Sequence, residues 1–191
     1  MRNFKTKIMA ITIGTREMLQ LLHVIAWVIF VGVCVEAGGF LASASVKIMR
    51  PDIAGYFWQG VNLEALYQHD RGYYVVMTGF MVLVAAMRAL LFYWIIKILY
   101  EKKIDPTHPF HPEVAQFIFK IGYLSLFIGL FSYWGARYSA WFESLGVRMP
   151  DVEALRLGGA DVWIFMGVTL LVVAQLFKRG IAMQSENELT I

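Results

Sequence analysis

An all-α polytopic membrane fold with four transmembrane helices is what this chain predicts, on three observations. Hydrophobic residues fill 59% of its 191 positions against 16% charged, and the mean hydropathy is +0.59, far from the balance of a soluble domain. The apolar residues gather into four runs of membrane length, separated by polar or aromatic-rich connections. A run crossing lipid must satisfy its backbone polar groups within itself, which a helix does and a lone strand cannot.

The first span is expected at 19–46. The basic start Met1-Arg2-Asn3-Phe4-Lys5-Thr6-Lys7 resembles the front of a secretion signal, but the apolar stretch behind it far exceeds a signal core of about 7–15 residues. It reads as a permanent span. Its Cys34 is the single cysteine, so no disulfide forms within the chain. The second span is expected at 73–99. The third, at 114–138, has a clear start: Pro112 at the first helical position and Glu113 beside it, after the helix-breaking Asp105-Pro106-Thr107-His108-Pro109. The fourth, at 160–177, follows a Gly158-Gly159 turn, with Asp161 near the positive helix end. Its uncharged core of roughly 16 residues covers about 24 Å, so Ala160 and a snorkelling Lys178 must complete a span of about 30 Å. Residues 180–191 form a polar tail.

Four spans put both termini on one side of the membrane. Arg2, Lys5, Lys7, Arg16, Lys97, Lys102, Lys103, Lys178 and Arg179 fall on that side, against Lys47, Arg50, Arg71, Arg148 and Arg156 on the other. The positive-inside rule therefore predicts cytoplasmic N- and C-termini. Membrane edges also account for the net charge of +3, and no direct nucleic-acid binding is expected. The two outer connections carry Tyr56-Phe57-Trp58, Leu63, Leu66 and Tyr67, then Trp141-Phe142, Leu145, Val147, Leu155 and Leu157. They suit either interfacial segments or a shaped extracytoplasmic pocket.

Helix packing is expected along small residues. Gly122, Ser125, Gly129, Ser132, Ala136 and Ser139 make one face of the third span, which lets a neighbouring backbone approach and hydroxyls bond across. Gly32, Glu36, Gly39 and Ser43 offer a facing stripe on the first span, and the two are expected to meet.

Glu36 is the sharpest single residue. An acid in mid-span costs about 2.5–3.5 kcal/mol on insertion scales, so it should face protein and have a partner. Counting rise along straight helices from Glu17 and Lys120 puts Glu36 and Arg137 at matching heights, with Asp161 a competing acid at the same level. Arg88, counted from Lys97, falls too deep for an easy bond to Glu36. Two readings stay open: a structural ion pair, or a proton or cation site.

His23 lies one turn before Trp27. The remaining histidines, His69, His108 and His111, fall in connections, which excludes a haem held by paired intramembrane histidines. His108 and His111 alone are too few for a metal centre. No CxxC, GxSxG, HExxH or phosphate-binding loop occurs, and neither cofactor, metal nor enzymatic activity is expected.

The segments Gly158-Gly159-Ala160-Asp161-Val162-Trp163, Phe177-Lys178-Arg179-Gly180 and Gln184-Ser185-Glu186-Asn187-Glu188-Leu189-Thr190-Ile191 carry a resemblance. So, less specifically, do Ile29-Phe30-Val31-Gly32-Val33-Cys34-Val35-Glu36-Ala37-Gly38-Gly39 and Phe131-Ser132-Tyr133-Trp134-Gly135-Ala136. With these the chain resembles, over nearly its whole length, the YoaS-like family of small four-span bacterial membrane proteins, which has no established activity. Members are commonly encoded beside a very small helix-turn-helix regulator. The resemblance thus implies a bacterial inner-membrane protein that partners a transcription factor.

The leading functional expectation is a non-enzymatic regulator or sensor docking a cytoplasmic partner such as a small DNA-binding regulator. Lys102-Lys103, the pair Lys178-Arg179, and a tail in which Glu186 and Glu188 meet a basic face while Leu189 and Ile191 anchor it would form the contact. A frayed, solvated tail is the competing reading. The alternative function is a proton-coupled transporter working as a homodimer and using Glu36; four spans with a first-helix glutamate resemble small multidrug exporters, whose chains are shorter and lack these outer segments.

Overall fold

The computed structural model describes residues 14–50, 58–101 and 111–188. Among them the chain is all-helical, with no strands, and four helices are long and apolar enough to cross a membrane. They are α1 (Thr15–Met49), α3 (Arg71–Tyr100), α4 (Pro112–Ser144) and α5 (Ala160–Glu188); a short α2 (Glu64–His69) precedes α3, and a 3-10 turn spans Trp58–Gly60. All four long helices outrun the expected spans, because an apolar run marks the lipid-facing core of a helix and not its ends.

The helices stand in a row. α1 packs on α3, α3 on α4, and α4 on α5, whereas α1 and α5 do not pack on one another along their length. A third of the apolar stretch in α3 and in α4 is buried, against 6% in α1 and 11% in α5, so α3 and α4 form the centre. The flanks carry large exposed apolar side chains, Val28 and Leu41 on α1, Val162 and Phe165 on α5. Such surface suits contact with lipid.

The expected meeting of the first and third spans does not occur. The small stripe of α4 faces α5: a Cβ on Gly129 would lie 2.9 Å from the Ala160 carbonyl oxygen, and one on Gly122 would lie 3.3 Å from that of Gly167. Gly167 answers from α5, its own missing Cβ 2.9 Å from the Gly122 carbonyl oxygen. Glycine on both sides allows the two backbones to touch. The serines pack without bonding across: Ser125 donates to the Ile121 carbonyl at 2.7 Å, and Ser132 Oγ is buried without a partner. On α1, Gly32 faces open space, and Gly39 lies beneath the Trp58 indole.

This register sets α5 low. Ala160 sits against Gly129, about 22 Å from the Ser144 end of α4, so α5 begins near the middle of its neighbour. Residues 145–159 fill the space above it. Leu155 and Leu157 are fully buried, and Leu157 packs against Gly135 of α4, which Phe80 of α3 also approaches. Irregular backbone at such depth is tolerated because it is enclosed by protein. At its other end α5 runs as unbroken helix to Glu188, about 15 Å past the level of Pro112. The expected 180–191 tail is thus helical through Glu188; Leu189 and Ile191 lie outside the described residues.

The end of the molecule that holds these connections is capped. Asp70 accepts from the Gly72 and Tyr73 amides at 2.6 and 3.0 Å, closing α2 and starting α3. Phe142, fully buried, packs with His69, Tyr73, Tyr138 and Trp141. The Trp58 amide donates to Ser43 Oγ at 3.0 Å, and Lys47 pairs with Glu64 at 2.5 Å, folding the first connection back onto α1.

Candidate functional site

The site assembles around an arginine counted above only for its charge. The segment before α5 makes one helical turn and ends in a Schellman motif: the Leu157 amide donates to the Val152 carbonyl, and the Arg156 amide to the Glu153 carbonyl, both at 3.0 Å. Arg156 occupies the left-handed position, φ +58°, where glycine is usual. α4 ends in the same motif with Gly146 there, φ +79°. One copy of the motif thus uses the unstrained residue and the other an arginine.

That backbone sends the Arg156 side chain to two partners. Its Nε lies 2.6 Å from Glu36 Oε1 on α1, and its Nη2 donates to Gln59 Oε1 at 2.9 Å. Gln59 is itself left-handed, φ +57°. The partner of Glu36 is therefore Arg156 and not Arg137, which is exposed on α4 and forms no ion pair among the described residues. Height-matching fails because α5 starts at mid-depth, which carries the preceding connection and its arginine down to Glu36.

Arg88 is also closer to Glu36 than expected. Ring contact between Phe30 and Tyr93 fixes an antiparallel register that brings residues 36 and 88 nearly level. The start of α1 projects past the end of α3, so heights counted from the two ends do not compare. Glu36 and Arg156 both lie within electrostatic reach of Arg88. The Arg88 guanidinium stands 5.5 Å over the Trp163 ring, with its Nε buried and unpartnered. Asp161 stays exposed in the first turn of α5 and joins no ion pair among the described residues.

Above this cluster a groove of about 920 Å³ runs between the two capping connections. Its walls include Gln59, Asn62, Gln68, His69, Arg148 and Asp151. It touches the polar cluster through Gln59. On the opposite end, Lys178 and Arg179 are exposed on α5. Among the described residues no set of three metal-ligating side chains gathers, and the Trp27 indole donates to His23 Nε2 at 3.2 Å.

Arg156, Gln59 and Trp163 were missed as members of a site. Two signals pointed to Arg156: its flanking Leu155 and Leu157 in a supposedly surface connection, and a fourth apolar run too short to span alone. No curated protein and no solved structure matches the chain. Residues 58–191 match the family model described as "Protein of unknown function (DUF2975)", and since this is well over half of the chain, the protein belongs to that family.

Proposed function

We propose that this protein is a non-enzymatic regulator of a bacterial inner membrane, with cytoplasmic termini, whose α5 extension docks a small soluble partner such as a helix-turn-helix regulator. The carrying observation is that α5 runs unbroken from the middle of the bundle to Glu188 and projects past α4. One rigid rod then joins the polar cluster beside Trp163 to the charged surface of Lys178, Arg179 and Glu186. A helix presents such charges in fixed geometry, which favours a defined protein contact over a frayed tail. The YoaS-like resemblance adds the nature of the partner. Pull-down of the full-length protein from its native membrane should recover a small DNA-binding protein. Truncation from Gln184 should abolish recovery; equal recovery without those residues would remove this reading.

A homodimeric transporter using Glu36 is the second reading, since an acid within a span is a candidate proton site. It requires Glu36 to release Arg156 in each cycle. Glu36→Gln would then abolish proton-coupled flux, whereas a regulator would chiefly lose stability.

A further inference from the structure

We propose that Arg88 and Arg156 together hold an oxyanion, a carboxylate or phosphate group, beside Glu36 and Trp163. The cluster contains two guanidinium groups and one carboxylate, Glu36, leaving one positive charge in excess. Glu36 is taken by Arg156 at 2.6 Å. Arg88 has five N–H donors and donates no hydrogen bond to any described residue, and its Nε is fully enclosed. Trp163 covers a face of the guanidinium, which satisfies none of the in-plane donors.

Arg88 lies within a membrane-spanning helix, about 14 Å along α3 from Lys97, and is partly buried with its Nε enclosed, so an acceptor at that depth would stabilise it. The planar fork of arginine matches the paired oxygens of a carboxylate or phosphate. Such a group, bridging Arg88 and Arg156, would balance the charge and fill the empty donors. Two routes lead there. α1 and α5 do not pack on one another along their length, so an amphiphile would enter from the lipid side between them, and a free oxyanion would enter past Arg156, whose side chain is half exposed. The source is then either an anionic amphiphile or a free oxyanion from water.

The test is thermal unfolding of the full-length protein in nanodiscs of purely zwitterionic phosphatidylcholine, with three additions made separately: phosphatidylglycerol, oleate and inorganic phosphate. At least one should raise the midpoint by about 5–10 °C when well above its dissociation constant. A shift with phosphatidylglycerol or oleate alone assigns the membrane source; a shift with phosphate assigns the aqueous one. Arg88→Gln should remove the shift. Should that variant not fold, Arg88→Lys, which keeps the charge and loses the fork, must reduce it. No shift with any addition, or an undiminished shift in the Arg88 variants, overturns the proposal. Partner recovery plays no part in this readout, so it stands or falls separately from docking.

Discussion

Arg156 and Gln59, 97 positions apart, share a 2.9 Å hydrogen bond while each holds a left-handed backbone. They are the two described non-glycine residues with positive φ. Such conformations cost on the order of 1–3 kcal/mol and persist where surrounding structure demands them. Here the geometry aims one arginine at both the first connection and Glu36.

The strain separates from the side-chain bonds by comparing two truncations. Arg156→Ala and Arg156→Gly both lose Glu36 and Gln59, but glycine also relieves the backbone. Arg156→Gly should be more stable than Arg156→Ala by about 1 kcal/mol, the reverse of their order within a helix. Denaturant unfolding in micelles measures this.

Glycines of the small stripes should respond oppositely. A Cβ at Gly129 would stand 2.9 Å from the Ala160 oxygen and from the Ile164 nitrogen, backbone atoms that cannot swing aside. Gly129→Ala should destabilise by about 1–3 kcal/mol. Gly32 meets nothing within 4 Å, and Gly32→Ala should be neutral or stabilising by up to about 1 kcal/mol. The same unfolding assay compares the two.

Gly39 offers a test of the capping contact. A Cβ there would collide with the Trp58 indole, so Gly39→Ala should displace the ring and destabilise by about 1–3 kcal/mol. In a Trp58→Ala background the same change should be nearly silent, which a double-mutant cycle reads directly.

The Lys47–Glu64 bond makes part of the stability pH-dependent. The hydrogen bond from Lys47 lowers the Glu64 carboxyl below its ordinary value of 4.5, against an opposing effect of burial. A carboxylate with a lowered folded-state pKa contributes stability that is complete above the unfolded value and is lost as pH falls through the folded one. Unfolding midpoints should therefore drop as pH falls below about 4.5. Glu64→Gln should make that drop shallower.

The four helices were legible because continuous apolar runs of membrane length have few other solutions. Their ends were not: α5 continues through Lys178, Arg179 and Glu186 in polar residues that a hydropathy reading assigns to a tail. Small-residue spacing on α4 identified a close-packing face, yet spacing cannot name the helix opposite, and Gly167 on α5 took the place expected of Gly32. Glu36 was legible as an acid needing a partner. Arg156 was hidden because a charged residue between spans reads as surface, and only the tertiary register of Ala160 against Gly129 brings its segment down into the bundle.

The most direct measurement is a pair of double-mutant cycles on unfolding free energy, one with Glu36→Gln and Arg156→Gln, the other with Glu36→Gln and Arg137→Gln. The 2.6 Å contact, part-buried at Glu36 and half exposed at Arg156, predicts a coupling of about 1–3 kcal/mol in the first cycle and none beyond about 0.5 kcal/mol in the second. Coupling to Arg137 with none to Arg156 would contradict the placement of the 145–159 connection within the bundle.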